Sequence, residues 1–112
     1  MSSSKEMKKR FDEIIGRNGL TLVDFYASWC GPCKALHPIL DRLASTLGDR
    51  VEIHRYDIDE PDNAEIVARY DIRSVPTLFL FRGGKALWRT SGVVSAEYLK
   101  GVVEKFETAY AS

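Results

Sequence analysis

The stretch Trp29-Cys30-Gly31-Pro32-Cys33 contains the only two cysteines of this 112-residue chain. The pair can form a disulfide, supply half of a metal site or remain as two free thiols. A disulfide across two intervening residues closes a very small ring, so it constrains the unfolded chain little and stabilises the fold little. Because such a bond is more useful when it breaks, the motif indicates redox chemistry.

The alternative of a metal site depends on the two histidines, His37 and His54. A tetrahedral zinc site needs four ligands. His37 lies four residues beyond Cys33 but leaves that set incomplete, and His54 lies in another predicted element. We therefore expect no metal and no other cofactor, and we expect both histidines to be solvated or partly buried without a catalytic role.

The residues around the cysteines predict a strand before them and a helix after them. Leu20 to Ala27 is a mostly apolar run, typical of a strand covered on both faces. Cys30 would then lie at a helix N-terminus, where free N–H groups and the helix dipole favour a thiolate, so we expect it to attack. Cys33, one turn later, would be the resolving sulfur. Pro32 suits a first helical turn, and Gly31 leaves room for an approaching backbone.

Two further residues near the cysteines suggest function. Asp24 is unusual because strands covered on both faces rarely carry an unpaired carboxylate, and it precedes a thiol that needs a base. A structural role, in which the carboxylate satisfies neighbouring backbone groups, is the alternative. Trp29 directly precedes a nucleophile that we expect to be exposed, and is better placed to shield it than to fill the core.

The rest of the chain alternates between helical and strand patterns. A capping box of Asp62 with Glu65 is expected to open the third helix, and Gly83-Gly84 predicts a hairpin. Strands separated by helices imply parallel crossovers, and the hairpin adds an antiparallel edge, which gives a three-layer α/β sandwich. The predicted helices end near Gly16, Gly48, Tyr70 and Phe106, and the predicted strands are 20–27, 51–58, 75–81 and 85–91.

Length and charge limit the classes of function. The length suits one domain over residues 1–112. Sixteen Lys and Arg balance sixteen Asp and Glu, so no net charge recruits nucleic acid or an anionic membrane. No apolar run approaches the roughly 20 residues of a membrane span, so we expect a soluble, cytoplasmic protein.

Short motifs occur along the chain from about Leu20 to Phe106: DFYASWCGPCK (24–34), Pro38 inside the helix, DID (57–59), SVPT (74–77), FRGGK (81–85) and SGVVS (91–95). In these motifs the chain resembles the thioredoxin family. A CxxC alone is only moderately specific. WCGPC, with an Asp in the preceding strand and a later Val-Pro-Thr strand start, is very specific.

The resemblance implies the thioredoxin fold, an α/β/α sandwich with a central mixed sheet of four to five strands and about four helices. It implies that Cys30 attacks a substrate disulfide, that Cys33 resolves the mixed disulfide and that Asp24 assists proton transfer at Cys33. Pro76 matches the family's cis-proline. It also implies an apolar surface for substrates, here named the docking face, which consists of Trp29, Gly31, Pro32, Val75, Pro76 and Gly92.

The implied function is that of a general protein-disulfide reductase, a monomeric electron carrier that thioredoxin reductase recycles. An oxidase or isomerase on the same fold is disfavoured, because the family's oxidising members carry a His between the cysteines. A redox-independent binding role stays open.

The chain departs from the family in two places. Its polar residues 1–6 do not supply the usual first strand, so four strands are possible instead of five. Arg55 occupies the place of a common Lys beside Asp24; it can pair with Asp24 but cannot donate a proton.

Overall fold

A computed structural model describes residues 3–109. The elements follow the predicted order of helix and strand. They are α1 (Ser4–Ile15), β1 (Leu20–Tyr26), α2 (Gly31–Leu47), β2 (Val51–Asp57), α3 (Ala64–Arg69), β3 (Thr77–Arg82), β4 (Lys85–Ser91) and α4 (Ala96–Ala109), with 3-10 turns at Gly48–Arg50 and Pro61–Asn63.

In the described part of the chain, four strands form one mixed sheet in the order β2-β1-β3-β4. β1 and β2 are parallel, as predicted, and β3 and β4 form the predicted antiparallel hairpin. The expectation of a second parallel crossover is wrong, because β3 runs antiparallel to β1. α3 has six residues, which span only about 9 Å, too little to return the chain along a strand of roughly 20 Å.

Two apolar clusters on opposite faces of the sheet make the fold a three-layer sandwich. On one face, Leu20 and Leu22 of β1 pack with leucines of α2 and with Leu99 of α4. On the other, Val23 and Phe25 pack with α1 and α3. Alternation along β1 therefore directs its even-numbered side chains, Asp24 among them, towards α2 and α4.

The start of the chain agrees with a four-stranded sheet. α1 begins at Ser4, and the Ser3 hydroxyl caps it by accepting a hydrogen bond from the Glu6 N–H at 3.2 Å. Part of the polar segment 1–6 is thus helical, and residues 1–2 lie outside the described residues. Among residues 3–109, no helix is long and apolar enough to cross a membrane.

Two local predictions are wrong. The capping box does not form, because α3 begins after Asn63, whose side chain makes no cap, while the Asp62 carboxylate accepts a hydrogen bond from Ser4 at 3.4 Å. The third strand begins at Thr77 and not at Val75. The Val75–Pro76 peptide bond is cis, as the resemblance implies, and it lies in the loop that leads into β3.

Candidate active site

The two cysteines form a disulfide at the start of α2, with their Cα atoms 5.3 Å apart. Cys30 is the N-cap of the helix, and Gly31 and Pro32 form its first turn. The Cys33 N–H donates a hydrogen bond to Cys30 Sγ at 3.1 Å. The helix therefore directs one of its free backbone donors at the sulfur that we expect to attack, which is the environment that stabilises a thiolate.

The expectation of an exposed Cys30 is wrong for the disulfide form of the protein. Cys30 is 4% exposed and Cys33 3% exposed. Both pack with Ala27, and the partly buried Val75 packs against them. The Val75 carbonyl oxygen lies 3.7 Å from Cys30 Sγ, so the cis-proline loop covers this sulfur.

The cis-proline loop also contacts the end of β4. The Gly92 N–H donates a hydrogen bond to the Pro76 carbonyl oxygen at 2.9 Å. Gly92 has φ +91°, a conformation that residues with a Cβ rarely adopt. Pro76 is buried, so within the docking face its ring shapes the loop, while Val75 reaches the cysteines.

The remaining docking-face residues, Trp29, Gly31 and Pro32, flank the cysteines in the chain. Gly31 and Pro32 are exposed, and a Cβ added at Gly31 would meet no neighbouring atom. Trp29 is 68% exposed, and its Nε1–H donates a hydrogen bond to Asp59 Oδ2 at 2.7 Å. This bond orients a large, exposed side chain next to Cys30 in the chain, so Trp29 is not a core residue. Its role as a shield stays a prediction.

Asp24 is fully buried in the centre of the sheet. It pairs with Arg55 of β2 on one side and with Leu78 of β3 on the other. Burial raises the pKa of Asp24 from 3.8 to about 6, and the positive charge of Arg55 partly opposes this shift. Neither carboxylate oxygen accepts a hydrogen bond from the described part of the chain. The structural alternative, in which the Asp24 carboxylate accepts hydrogen bonds from neighbouring backbone groups, is therefore wrong.

Sequence reasoning missed Asp59 and Asp41. Asp59 holds Trp29, and Asp41 of α2 accepts a hydrogen bond from Arg55 at 3.3 Å. For Asp41 a sequence signal existed: it lies four residues after His37 and eight after Cys33, in the helix that carries the resolving sulfur. For Asp59 the only signal was its place in the DID motif.

A shallow cleft beside α2 reaches Cys33. It has a volume of about 270 Å³ and is lined by Tyr26, Ala27, Ser28, Cys33, Lys34 and His37. The His37 ring lies edge-on to Tyr26, and His54 contacts Glu52. Among residues 3–109, no three His, Cys, Asp or Glu side chains are grouped in a way that could hold a metal ion.

Known proteins match this chain over nearly its whole length. A family model described as Thioredoxin matches residues 2–105. The thioredoxin of Chlamydia pneumoniae is 42% identical over 87% of this chain and 91% of its own, and that of Staphylococcus saprophyticus is 37% identical over 94% and 98%. The solution structure of the oxidised thioredoxin from Plasmodium falciparum has a TM-score of 0.74 at 32% identity, covering 88% of this chain and 90% of that one. These similarities confirm the fold that the motifs imply.

Proposed function

This chain belongs to the thioredoxin family and is a protein-disulfide oxidoreductase, and from this premise we propose that it is a general reductant of protein disulfides. The observation that carries the proposal is the Cys30–Cys33 disulfide, with the Cys33 N–H donated to Cys30 Sγ. A helix N-terminus stabilises the thiolate form of a cysteine, which is the form that attacks a disulfide. A second cysteine one turn away can then attack the mixed disulfide and release the substrate.

The reaction proceeds in two exchange steps from the dithiol form. The Cys30 thiolate attacks one sulfur of the substrate disulfide, forms a mixed disulfide and releases the first substrate thiolate. Cys33, once it loses its proton, attacks Cys30 Sγ and releases the second substrate thiolate. Two electrons pass to the substrate, and the protein ends as the Cys30–Cys33 disulfide described above.

Asp24 accepts the proton of Cys33 in the second step. A base is most useful when its pKa lies near the working pH, and burial raises the pKa of Asp24 to about 6. Asp24 faces the same side of the sheet as α2, the helix that carries Cys33. Arg55 remains charged and so does not take part as a proton donor.

Substrates bind at the docking face. Trp29, Gly31 and Pro32 flank the cysteines in the chain, and Val75 packs against the two sulfurs. Pro76 and Gly92 hold the loop of Val75 through their backbone hydrogen bond. The residues of the docking face are apolar or lack a side chain, so a bound segment is recognised through its backbone and shape. We therefore expect many protein substrates.

A flavoprotein thioredoxin reductase that uses NADPH returns the protein to its dithiol form. We place the protein in the cytoplasm, where the low redox potential keeps such a cysteine pair reduced between turnovers. We expect it to act there as a monomer. Its other partners are oxidised proteins, and it uses no nucleic acid, membrane, metal or bound cofactor.

The test is the reduction of insulin with NADPH and a bacterial thioredoxin reductase. We expect NADPH oxidation that requires both proteins and that continues until the insulin disulfides are consumed. The control is the double variant Cys30→Ser, Cys33→Ser. If protein reduced chemically with dithiothreitol and then freed of it left insulin intact, the reductase function would be wrong. If only the NADPH-coupled reaction failed, the choice of recycling enzyme would be wrong.

A further inference from the structure

Arg55 connects the buried carboxylate of β1 to helix α2. Its Nε lies 3.9 Å from Asp24 Oδ2. Its Nη2 donates hydrogen bonds to the His37 carbonyl oxygen at 3.1 Å and to Asp41 Oδ1 at 3.3 Å. The Arg55 side chain is 25% exposed and that of Asp41 74% exposed, so the guanidinium extends from the buried acid to the surface of the helix.

The distance to Asp24 is too long for a hydrogen bond. Arg55 Nε and both Asp24 oxygens are buried, and among the described residues none of these three atoms has a hydrogen-bond partner. Arg55 therefore acts on Asp24 by charge alone, although the two groups would satisfy each other if they moved together. The two bonds made by Nη2 hold the guanidinium on the side of α2.

We propose that Asp41 is a positioning residue, which holds Arg55 against α2 and so keeps the guanidinium out of hydrogen-bonding distance of Asp24. The inference rests on the proton-transfer role proposed above for Asp24. A carboxylate that accepted a hydrogen bond from Arg55 would be a weaker base for Cys33. Asp41 thus preserves the basicity of Asp24 without touching it.

Asp41 is the anchor on α2 that a substitution can remove, because the other acceptor is the backbone carbonyl of His37. Its bond to Arg55 joins two opposite charges, whereas the carbonyl carries no net charge. His37 and Asp41 are four residues apart, so they lie on neighbouring turns of one face of α2. Cys33 lies one turn before His37, and the anchor therefore belongs to the helix that carries the resolving sulfur.

The other groups that face Asp24 do not replace Arg55. β3 contributes Leu78, and the buried residues of α4 on this side are apolar. The titratable groups of β1 and α2 on this side are Tyr26, Cys33, His37 and Asp41. On β2, alternation places Asp57 on the same face as Arg55, and its charge is negative. Arg55 is the positive charge that lowers the pKa of Asp24 against the effect of burial.

The test is Asp41→Asn, with the titration of the Asp24 carboxyl carbon followed by NMR in the disulfide form. Loss of the charged anchor lets Arg55 donate to Asp24, and we expect the Asp24 midpoint to fall by about one pH unit. The pH profile of insulin reduction should move in the same direction. Asp49→Asn is the matched control, because Asp49 is also exposed but lies beyond the far end of α2, roughly 12 Å along the helix.

The same substitution in an Arg55→Gln protein separates positioning of Arg55 from direct charge repulsion between Asp41 and Asp24. In Arg55→Gln, Asp41→Asn should leave the Asp24 midpoint unchanged, because Asp41 acts through Arg55. An unchanged or raised midpoint in Asp41→Asn alone, or an equal fall in the Arg55→Gln background, would overturn the inference. If the midpoint falls and the activity profile does not move, Asp41 positions Arg55 as proposed and the proton-transfer role of Asp24 is wrong.

Discussion

The backbone N–H of Cys33 points at Cys30 Sγ across 3.1 Å, and this one contact gives the two cysteines different chemistry. Cys30 is the N-cap and receives the donor, whereas Cys33 lies within the helix and supplies it. When the disulfide opens, negative charge is therefore better stabilised on Cys30 than on Cys33.

The first prediction is that Cys30→Ser removes insulin reduction completely. A serine hydroxyl at the helix start is too weak a nucleophile to open a disulfide. Cys33 lies inside α2 and lacks the backbone donor that stabilises a thiolate at Cys30. The measurement is insulin turnover with dithiothreitol as electron source, corrected for the rate without protein. Measurable turnover by Cys30→Ser, together with complete loss in Cys33→Ser, would reverse the assignment of the attacking and resolving sulfurs.

The second prediction is that Asp24→Ala stabilises the fold at neutral pH. The pKa of Asp24 is raised from 3.8 to about 6, so the native state binds more protons than the unfolded state between these values. Stability therefore falls as pH rises through that interval, by about 3 kcal/mol as an upper estimate. Ala removes this cost, and the small cavity that it leaves offsets part of the gain.

Urea midpoints of wild type and Asp24→Ala check this prediction on both sides of the interval. The two proteins should differ most above pH 6 and should converge below 3.8, where Asp24 is neutral in both states. Asp49→Ala is the exposed control and should change little. A variant clearly less stable than wild type at neutral pH would favour a structural role for the carboxylate.

The elements that the sequence predicts well are those decided by local patterns. The cysteines lie at a helix start because an apolar strand, Gly31, Pro32 and a leucine stripe follow one another in the chain. The direction of β3 could not be predicted in this way, because it depends on how far the short α3 carries the chain. The sequence predicts a helix there, but the direction in which the chain leaves that helix depends on how the helix packs against the sheet.

The parts of the site that escaped prediction are contacts between distant residues. Trp29 and Asp59 are thirty residues apart, and Arg55 reaches Asp41 across fourteen. Asp62 shows the same effect, since the side chain expected to cap α3 instead binds Ser4 of α1. Charged side chains have several partners within reach, and the packing of the helices on the sheet selects among them.

The third prediction concerns the bond between Trp29 and Asp59. Asp59→Ala frees the exposed indole, so the docking face loses its fixed edge, and we expect KM for insulin to rise several-fold with little change in kcat. Because the bond is exposed, the free energy of unfolding should change by about 1 kcal/mol or less. Glu60→Ala, at the neighbouring exposed position, is the control. An unchanged KM would show that the orientation of Trp29 does not matter for docking.

The fourth prediction separates two glycines of the docking face. Gly92→Ala should lower stability by about 1 kcal/mol, because a Cβ is disfavoured at its φ of +91°. Gly31→Ala should keep or raise stability, because Gly31 lies in the first turn of α2 with open space around it. The added methyl should nevertheless slow attack by Cys30. Denaturant midpoints and single-turnover rates measure both effects, and an equal loss of stability in the two variants would contradict the argument.

The last prediction is that Cys33→Ser traps many partners as mixed disulfides with Cys30. The intermediate then has no intramolecular exit, and an external thiol reacts more slowly because it lacks the effective concentration of a neighbour one helical turn away. Breadth follows from the docking face, which offers apolar side chains, two glycines and backbone groups but no charged pocket that would select one substrate side chain. Partners captured from a cell lysate are released with dithiothreitol and counted, and the double variant Cys30→Ser, Cys33→Ser serves as control. A single dominant partner that the double variant also retains would contradict the general reductase function. It would favour a redox-independent binding role, because the surface of the protein, and not the Cys30 sulfur, would then recognise the partner.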